Sequence, residues 1–415
     1  MEKESTTSPE QALRIVFFGS QDNLNYRFAK WSHGLGHYVE LFSFDLDLGR
    51  SQPELLDPDL RGNYPSWFHV HSSPVRHFPR IPRDLKRYIE TEFDLMVVSG
   101  TRGLLASRSV RLPKVLHAIG GEVAEAPFPF AGRWQGIPAA IYRSLRWPYA
   151  REALRGMNAI IENYHFNIRC LERLDLIDRR VALPMAEDVH ANRQMVNKTL
   201  RQEKTIQYAQ YRRVFLWLTR LNFRDPCDAA YKGADRFLQA LNVVRSEIEA
   251  GSVRMIIGTH GHDVEAFRAW AEREGYSDYI DWIPHLSYPE MLTYLALPNA
   301  VLFGKFGEDL SILSGIDRDA LSIGTVTVTT CDPDYICQIY GARPPYLNAV
   351  STADIEARMR ETMDMVDEQF DGLQQAMRSF GDNYLDYSAV MPRYISLLRS
   401  VLMGSACKPI DSGTT

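Results

Sequence analysis

The sequence predicts an α/β protein of two domains, each built on a mostly parallel sheet. Three observations lead there. The chain has 415 residues, room for two or three domains at roughly 100–200 residues each. From Arg14 an apolar run ending in glycine is followed by a polar loop, a helical pattern and a second apolar run; the same grammar restarts at Val214. In both halves strands then go on alternating with helices, as parallel sheets with helical crossovers require.

The elements follow in order. Residues 15–18 are an uninterrupted apolar run stopped by Gly19, as expected of a strand buried on both faces. A polar loop over 20–25 leads to a helix carrying Phe28 and Trp31, punctuated by Gly34 and Gly36, and 38–44 is the next strand. Further strands are expected at 95–98, 114–118 and 159–162. In the second half the expected strands are 214–218, 253–257, 279–283, 300–303 and 325–329. Helices are expected at 235–249, where Phe237, Leu238, Leu241 and Val244 share a face, at 264–274 and at 290–297. The charged stretch 190–207 reads as a linker or a surface helix. A long helical tail is expected from about 355 to 402, with Tyr384, Tyr387 and Tyr394 available to pack its end on the first domain. The expected domains are 13–190, rejoined by a segment at 384–404, and 208–383, with disordered tails at 1–12 and 405–415.

Composition excludes several classes. Lys plus Arg number 47 and Asp plus Glu 52, a net charge of −5, which argues against a general nucleic-acid binder. Five cysteines, with no CxxC, fit a reducing compartment and argue against a disulfide scaffold or a zinc ribbon. No run approaches 18 uninterrupted apolar residues, and the first ten residues lack the apolar core of a signal peptide. The expected location is the cytoplasm, either free or peripheral on a membrane.

In open α/β sheets ligands bind at the carboxyl ends of the strands, so the loops after Phe18, Ala118, Leu218, Gly258 and Phe303 are where chemistry is expected. Arg220 follows the 214–218 strand and Lys232 lies twelve residues on, before a helix. An arginine fork, a lysine ammonium and a helix N-terminus suit a diphosphate; the alternative is two ordinary surface cations. His117 ends a strand and precedes Gly120-Gly121-Glu122, so it reads either as a hydrogen-bonding partner for a sugar or phosphate or as a satisfied core histidine. Gly19 either lets the backbone approach a ligand or is a plain turn glycine, and Asn25 is a weaker polar candidate in the same loop. The Asp-x-Asp triplets at 45–47, 57–59 and 332–334 fit chance in an acid-bearing chain. His69, His71 and His77, and His260 and His262, lack carboxylate or cysteine partners at metal spacing, so no metal site is expected. Ser20 and Ser99 lack a G-x-S-x-G elbow, which argues against a hydrolase.

The second half carries a recognisable pattern. Arg220 followed by Lys232-Gly233-Ala234-Asp235, then 256–263, 279–284 with 289–291, and 319–328, resembles in order the signature of retaining, nucleotide-sugar-dependent glycosyltransferases of family 4. In the first half 34–39 is similar to that family's G-H-x-V strand entry, and 113–121 to its P-x-V-x-x-H-x-x-G segment. The resemblance implies a GT-B fold, two Rossmann-like domains facing a central cleft, with the acceptor on the first and the donor on the second. It implies transfer of a sugar to a hydroxyl of a glycan or lipid-linked glycan with retention, and neither a metal nor a bound cofactor. His117, Arg220 and Lys232 would be catalytic. Gly19, Arg220, Lys232, Glu308 and Asp319 would bind the donor, Asp319 standing where the family's second glutamate accepts the ribose hydroxyls; the alternative for Asp319 is a helix-surface carboxylate. The family's first glutamate would fall on Ser311, with Glu308 and Asp309 close by as substitutes. That departure supports one rival reading, a catalytically silent GT-B binding subunit; the other rival, a nucleotide-sugar epimerase, needs its own acid/base carboxylates and histidine, of which the sequence shows no clear set.

The stretch 133–155 interleaves Arg133, Arg143, Arg146, Arg151 and Arg155 with Trp134, Tyr142, Trp147 and Tyr149, against one acid, Glu152. It reads either as a dock for an anionic membrane surface or a lipid-linked acceptor, or as a helix covering the sheet with a solvated basic edge.

Overall fold

The computed structural model describes residues 12–44, 52–57, 60, 62–71, 81–128, 137–225, 231–307 and 312–404, with the side chains of 55 and 137–144 outside that description. The chain forms two compact units, residues 1–183 with 391–415, and residues 184–390.

Unit 1 holds β1 (Arg14–Phe18), β2 (Tyr38–Phe44), β3 (Phe68–His71), β4 (Leu95–Ser99), β5 (Lys114–His117), β6 (Ala159–Ile161) and β7 (Arg180–Val181). They form one parallel sheet in the order β3-β2-β1-β4-β5-β6-β7. Phe17 pairs with Leu41 on one side and Val97 on the other, so β1 is central. Ile15 to Phe18 are fully buried, which is why this strand is an unbroken apolar run with no alternation.

Unit 2 repeats the plan with β8 (Arg213–Trp217), β9 (Val253–Gly258), β10 (Ile280–Ile283), β11 (Ala300–Phe303), β12 (Val326–Thr329) and β13 (Leu347–Asn348), in the order β10-β9-β8-β11-β12-β13, again all parallel. Trp217, Phe237, Phe303 and Phe306 meet at its centre, with ring centroids 5.0–6.1 Å apart.

Several elements differ from expectation. The short strands β3, β7 and β13 lie at sheet edges and carry too few apolar residues to stand out. The helix expected over 235–249 is three pieces, Ala234–Ala240, a 3₁₀ turn at Leu241–Val244, and Arg245–Glu249. The 190–207 stretch is two helices, Val189–Met195 and Lys198–Tyr208, docked on unit 2: Asn197 N–H donates to Thr293 Oγ1 (3.0 Å) and Tyr208 Oη to Asp281 Oδ2 (2.9 Å). The long tail is helices Thr352–Asp364 and Asp367–Phe380, a π-turn at Gly381–Leu385, and helix Tyr387–Leu402. On that last helix Tyr394 is fully buried in unit 1, its ring 4.5 Å from that of Phe28 and 5.2 Å from that of His117.

Candidate active site

In unit 2 the loop after β8 is clamped to the loop after β9. Leu221 N–H donates to His260 O (2.8 Å) and Asp263 N–H to Leu221 O (2.9 Å). The Asp263 carboxylate accepts from the N–H groups of Phe223 (2.7 Å) and Arg224 (3.0 Å), and from Arg224 Nε. Arg220 is exposed at this loop's head. The same network holds Lys232, whose N–H donates to Asn222 O (3.1 Å) and whose carbonyl accepts from Phe306 N–H (3.0 Å). The structure therefore places Arg220 and Lys232 in one hydrogen-bonded loop system at the carboxyl edge of the sheet. Gly233, left-handed at φ 75°, caps the next helix so tightly that a Cβ would stand 2.4 Å from Phe306 O; no other residue lets Lys232 sit there unstrained.

This edge carries groups that sequence reasoning missed. Lys305 follows β11 and is 6% exposed. Burial lowers its pKa to about 8; Asp317 opposes the shift and the charge of Lys232 adds to it. Asp317 is itself buried, with Oδ2 accepting from Ser314 N–H (2.8 Å) in a capping box, while Oδ1 has no partner among the described residues. His260 and His285 follow β9 and β10 with ring centroids 5.1 Å apart. Burial, then His285, then Arg220, hold the His260 imidazole below its usual range. Arg220, Lys232 and Lys305 thus all follow strands at this edge, with the Asp317 carboxylate near Lys305. The signal for Lys305 was present: a lysine set between Phe303 and Phe306 right after an apolar strand.

Asp319 lies two residues beyond Asp317 on helix Gly315–Ile323, so the two carboxylates leave it on opposite sides. Asp319 is 7% exposed and accepts the Tyr288 hydroxyl (2.7 Å), which also reaches Asn192 Oδ1 (3.0 Å). It is therefore not a solvated helix-surface carboxylate. Glu308 and Ser311 lie outside the described residues.

In unit 1, Gly19 follows β1 at φ 75°, and a Cβ there would stand 2.2 Å from Ser99 O, so close backbone packing alone requires glycine. Asn25 is fully buried, its Nδ2 donating to Gly19 O (2.8 Å) and its Oδ1 2.8 Å from His117 Nδ1. With Asn25 Oδ1 as acceptor, the His117 proton sits on Nδ1. His117 is 2% exposed and packs on Phe28 and Tyr394; burial pushes it down to about 3, so it is neutral near pH 7. Two buried carboxylates accompany it. Glu122 accepts the N–H of Gly100 (2.9 Å), at the start of helix Gly100–Ser107, and that of Gly120 (3.0 Å). Glu162, right after β6, accepts from Asn163 N–H, Tyr164 N–H and Asn167 Nδ2. Burial, with the charge of Glu122 adding, raises Glu162 to about 8 despite those bonds.

Of the basic stretch, Arg133 and Trp134 lie outside the described residues, as does the side chain of Arg143. Arg146 and Trp147 lie half-buried on helix Ile137–Arg155. Arg151 turns onto its own unit, over the Trp147 ring (4.7 Å) and with Nε donating to Pro127 O (2.9 Å).

No protein-family model matches the chain, and no curated protein sequence does. Solved structures do. The Anabaena protein HepE, in complex with UDP and glucose, is similar over 94% of this chain and 100% of its own, with a TM-score of 0.61 at 12% identity. Sucrose-phosphate synthase from Thermosynechococcus elongatus gives 0.62 at 10%, over 94% and 100%. A putative UDP-N-acetylglucosamine 2-epimerase from Listeria monocytogenes gives 0.55 at 12%, over 94% and 96%. At such identities what is shared is architecture, and with the two parallel sheets it makes this chain a protein of GT-B fold.

Proposed function

We propose that the chain is a glycosyltransferase that moves a sugar from a nucleotide-diphosphate donor to a hydroxyl acceptor with retention. One observation carries the reading: a hydrogen-bonded loop system brings Arg220 and Lys232, with Lys305 beside them, to the carboxyl edge of the unit 2 sheet. As the sugar leaves, negative charge grows on the diphosphate, and fixed cations stabilise that charge more than the ground state. The departing phosphate takes the acceptor's proton on the same face, which uses no protein nucleophile, metal or bound cofactor. Asp319 is assigned to the ribose. His117 enters as a residue that holds Asn25, and through it the Gly19 loop, on the acceptor side. The acceptor is a glycan or a lipid-linked glycan, and Arg133, Trp134, Arg143, Arg146 and Trp147 are assigned to it or to an anionic membrane, at the cytoplasmic face.

The test is calorimetric titration of the full chain with UDP, GDP and ADP. Arg220→Ala and Lys232→Ala should each weaken binding of the preferred nucleotide about ten- to a hundredfold, since a hydrogen bond to a charged group contributes roughly 1.5–3 kcal/mol. Wild-type affinity in both variants would remove the donor site. A second reading, a binding subunit without turnover, is favoured by serine at position 311, where the resemblance calls for a glutamate. It predicts nucleotide binding with neither transfer nor hydrolysis of the matching nucleotide sugar; conversion of that sugar to its epimer would instead select the epimerase reading.

A further inference from the structure

We infer that unit 2 holds a second ligand site, a pocket for a phosphate monoester with a compact apolar body, at the edge of its sheet opposite Arg220 and Lys232. A cavity of about 720 Å³ lies between helix Lys198–Tyr208 and the segments that lead into β11 and β12, touching Ala296, Pro298 and Ile323. All strands of this sheet are parallel. Segments leading into strands therefore mark its amino edge, whereas the donor loops follow the strands at the carboxyl edge. The volume is in the usual range for a small-molecule site.

The charges set the ligand's sign. Arg193, Lys198, Arg201 and Arg378 line the cavity and no carboxylate does, in a chain whose net charge is −5. Arg193 is answered by Asp382 (2.8 Å). The other three are not: among the described residues, neither Lys198 Nζ nor the terminal nitrogens of Arg201 and Arg378 have a hydrogen-bond or ion-pair partner. Both guanidiniums are nevertheless fixed in place. Arg201 Nε donates to Ala296 O (2.8 Å) and Arg378 Nε to Ile323 O (3.0 Å). Arg378 also lies flat across Gly324, where a Cβ would come within 2.3 Å of its side chain. Capping the carbonyls at the ends of two helices accounts for the Nε bonds. It leaves each fork's outer N–H groups presented on a held base, the arrangement that recognises phosphate oxygens.

The wall sets the body. Val196, Pro298 and Ile323 make one side apolar, and Ile206 is left 71% exposed, an unusual outlay of apolar surface that a bound ring or chain would cover. A dianionic head with a small apolar group satisfies both halves of the site; a bare anion or a neutral ring satisfies one.

The experiment is calorimetric titration of the full chain with phenyl phosphate, with inorganic phosphate and phenol as the half-ligands. Because phenyl phosphate also carries the chemistry of the donor edge, it is repeated in the Arg220→Ala/Lys232→Ala double variant. Expected is one binding event that survives that double substitution, is at least tenfold tighter than either half-ligand, and weakens at least tenfold in Arg201→Gln and in Arg378→Gln. Should Arg378→Gln fail to fold, protection of Lys198 from acetylation by phenyl phosphate in the wild-type chain replaces it. No binding, binding lost in the Arg220→Ala/Lys232→Ala variant, full affinity in Arg201→Gln, or an unprotected Lys198 would each overturn the site. Failure of nucleotide binding at the donor edge leaves this site standing, so the two readings fail separately.

Discussion

The Tyr288 hydroxyl donates to Asp319 Oδ1 at 2.7 Å, joining the start of helix Tyr288–Leu295 to the middle of helix Gly315–Ile323. A carboxylate has about four acceptor positions, so Asp319 can hold this tyrosine and a ribose hydroxyl together. The two roles separate by mutation. Tyr288→Phe should cost about 1 kcal/mol of stability, one neutral donor, and leave nucleotide affinity within a few-fold. Asp319→Asn should keep most of the stability and weaken nucleotide binding about tenfold. Melting curves beside calorimetry check this; equal nucleotide affinity in Asp319→Asn and wild type would reduce Asp319 to a packing residue.

Gly233→Ala is expected to act on both stability and binding. The new Cβ meets Phe306 O at 2.4 Å in a left-handed backbone, and such strain costs about 1–3 kcal/mol. Relief by a shift of the loop displaces Lys232, so nucleotide affinity should fall as well. A lowered melting temperature with unchanged affinity would show that Lys232 does not bind from this loop.

Glu162 makes stability depend on pH in a defined direction. Its folded pKa, about 8, lies above its ordinary value of 4.5. Between those values the folded chain carries a proton that the unfolded chain has released. Raising the pH through that window therefore lowers stability, by at most about 1.4 kcal/mol per unit. Glu162→Gln, which keeps the shape and the Asn163 and Tyr164 contacts, should flatten the loss between pH 5 and 8. An identical slope in the variant, measured by urea unfolding, would place the proton elsewhere.

On the basic helix one arginine is turned inward. Arg151, on Trp147 and Pro127 O, belongs to its own unit; Arg151→Ala should lower the melting temperature. If the stretch docks on lipid, the chain should float with anionic vesicles at low salt and release at high salt, and Arg143→Glu with Arg146→Glu should abolish flotation. Equal recovery with neutral vesicles would remove the membrane from the proposal.

The fold was legible because a strand buried on both faces writes itself as a mostly apolar block: β1, β4, β8 and β11 all do. Edge strands such as Leu347–Asn348 do not, and the helical tail concealed its breaks because periodicity alone does not reveal a π-turn. At the site, Arg220 and Lys232 were found by their place in a loop-then-helix pattern. Lys305 was visible in its place after an apolar strand but not its burial, and Asp317 and Glu162 did not stand out at all, because nothing in one dimension says that a charged side chain will be denied water. His117 shows the converse: its place at a strand end was visible, while its enclosure by Phe28 and by Tyr394, 277 positions later, was not.

That enclosure has a bearing on synthesis. Unit 2 is one continuous stretch, whereas unit 1 is closed by Tyr394, near the very end of the chain. A ribosome therefore finishes unit 2 before unit 1 has its last packing partner. Through most of translation Phe28 and the ring of His117 wait without it, which is when an apolar surface is most open to chaperones and to aggregation. A stop codon within positions 391–394 would leave the whole of unit 2 in place and still release a first unit that cannot close.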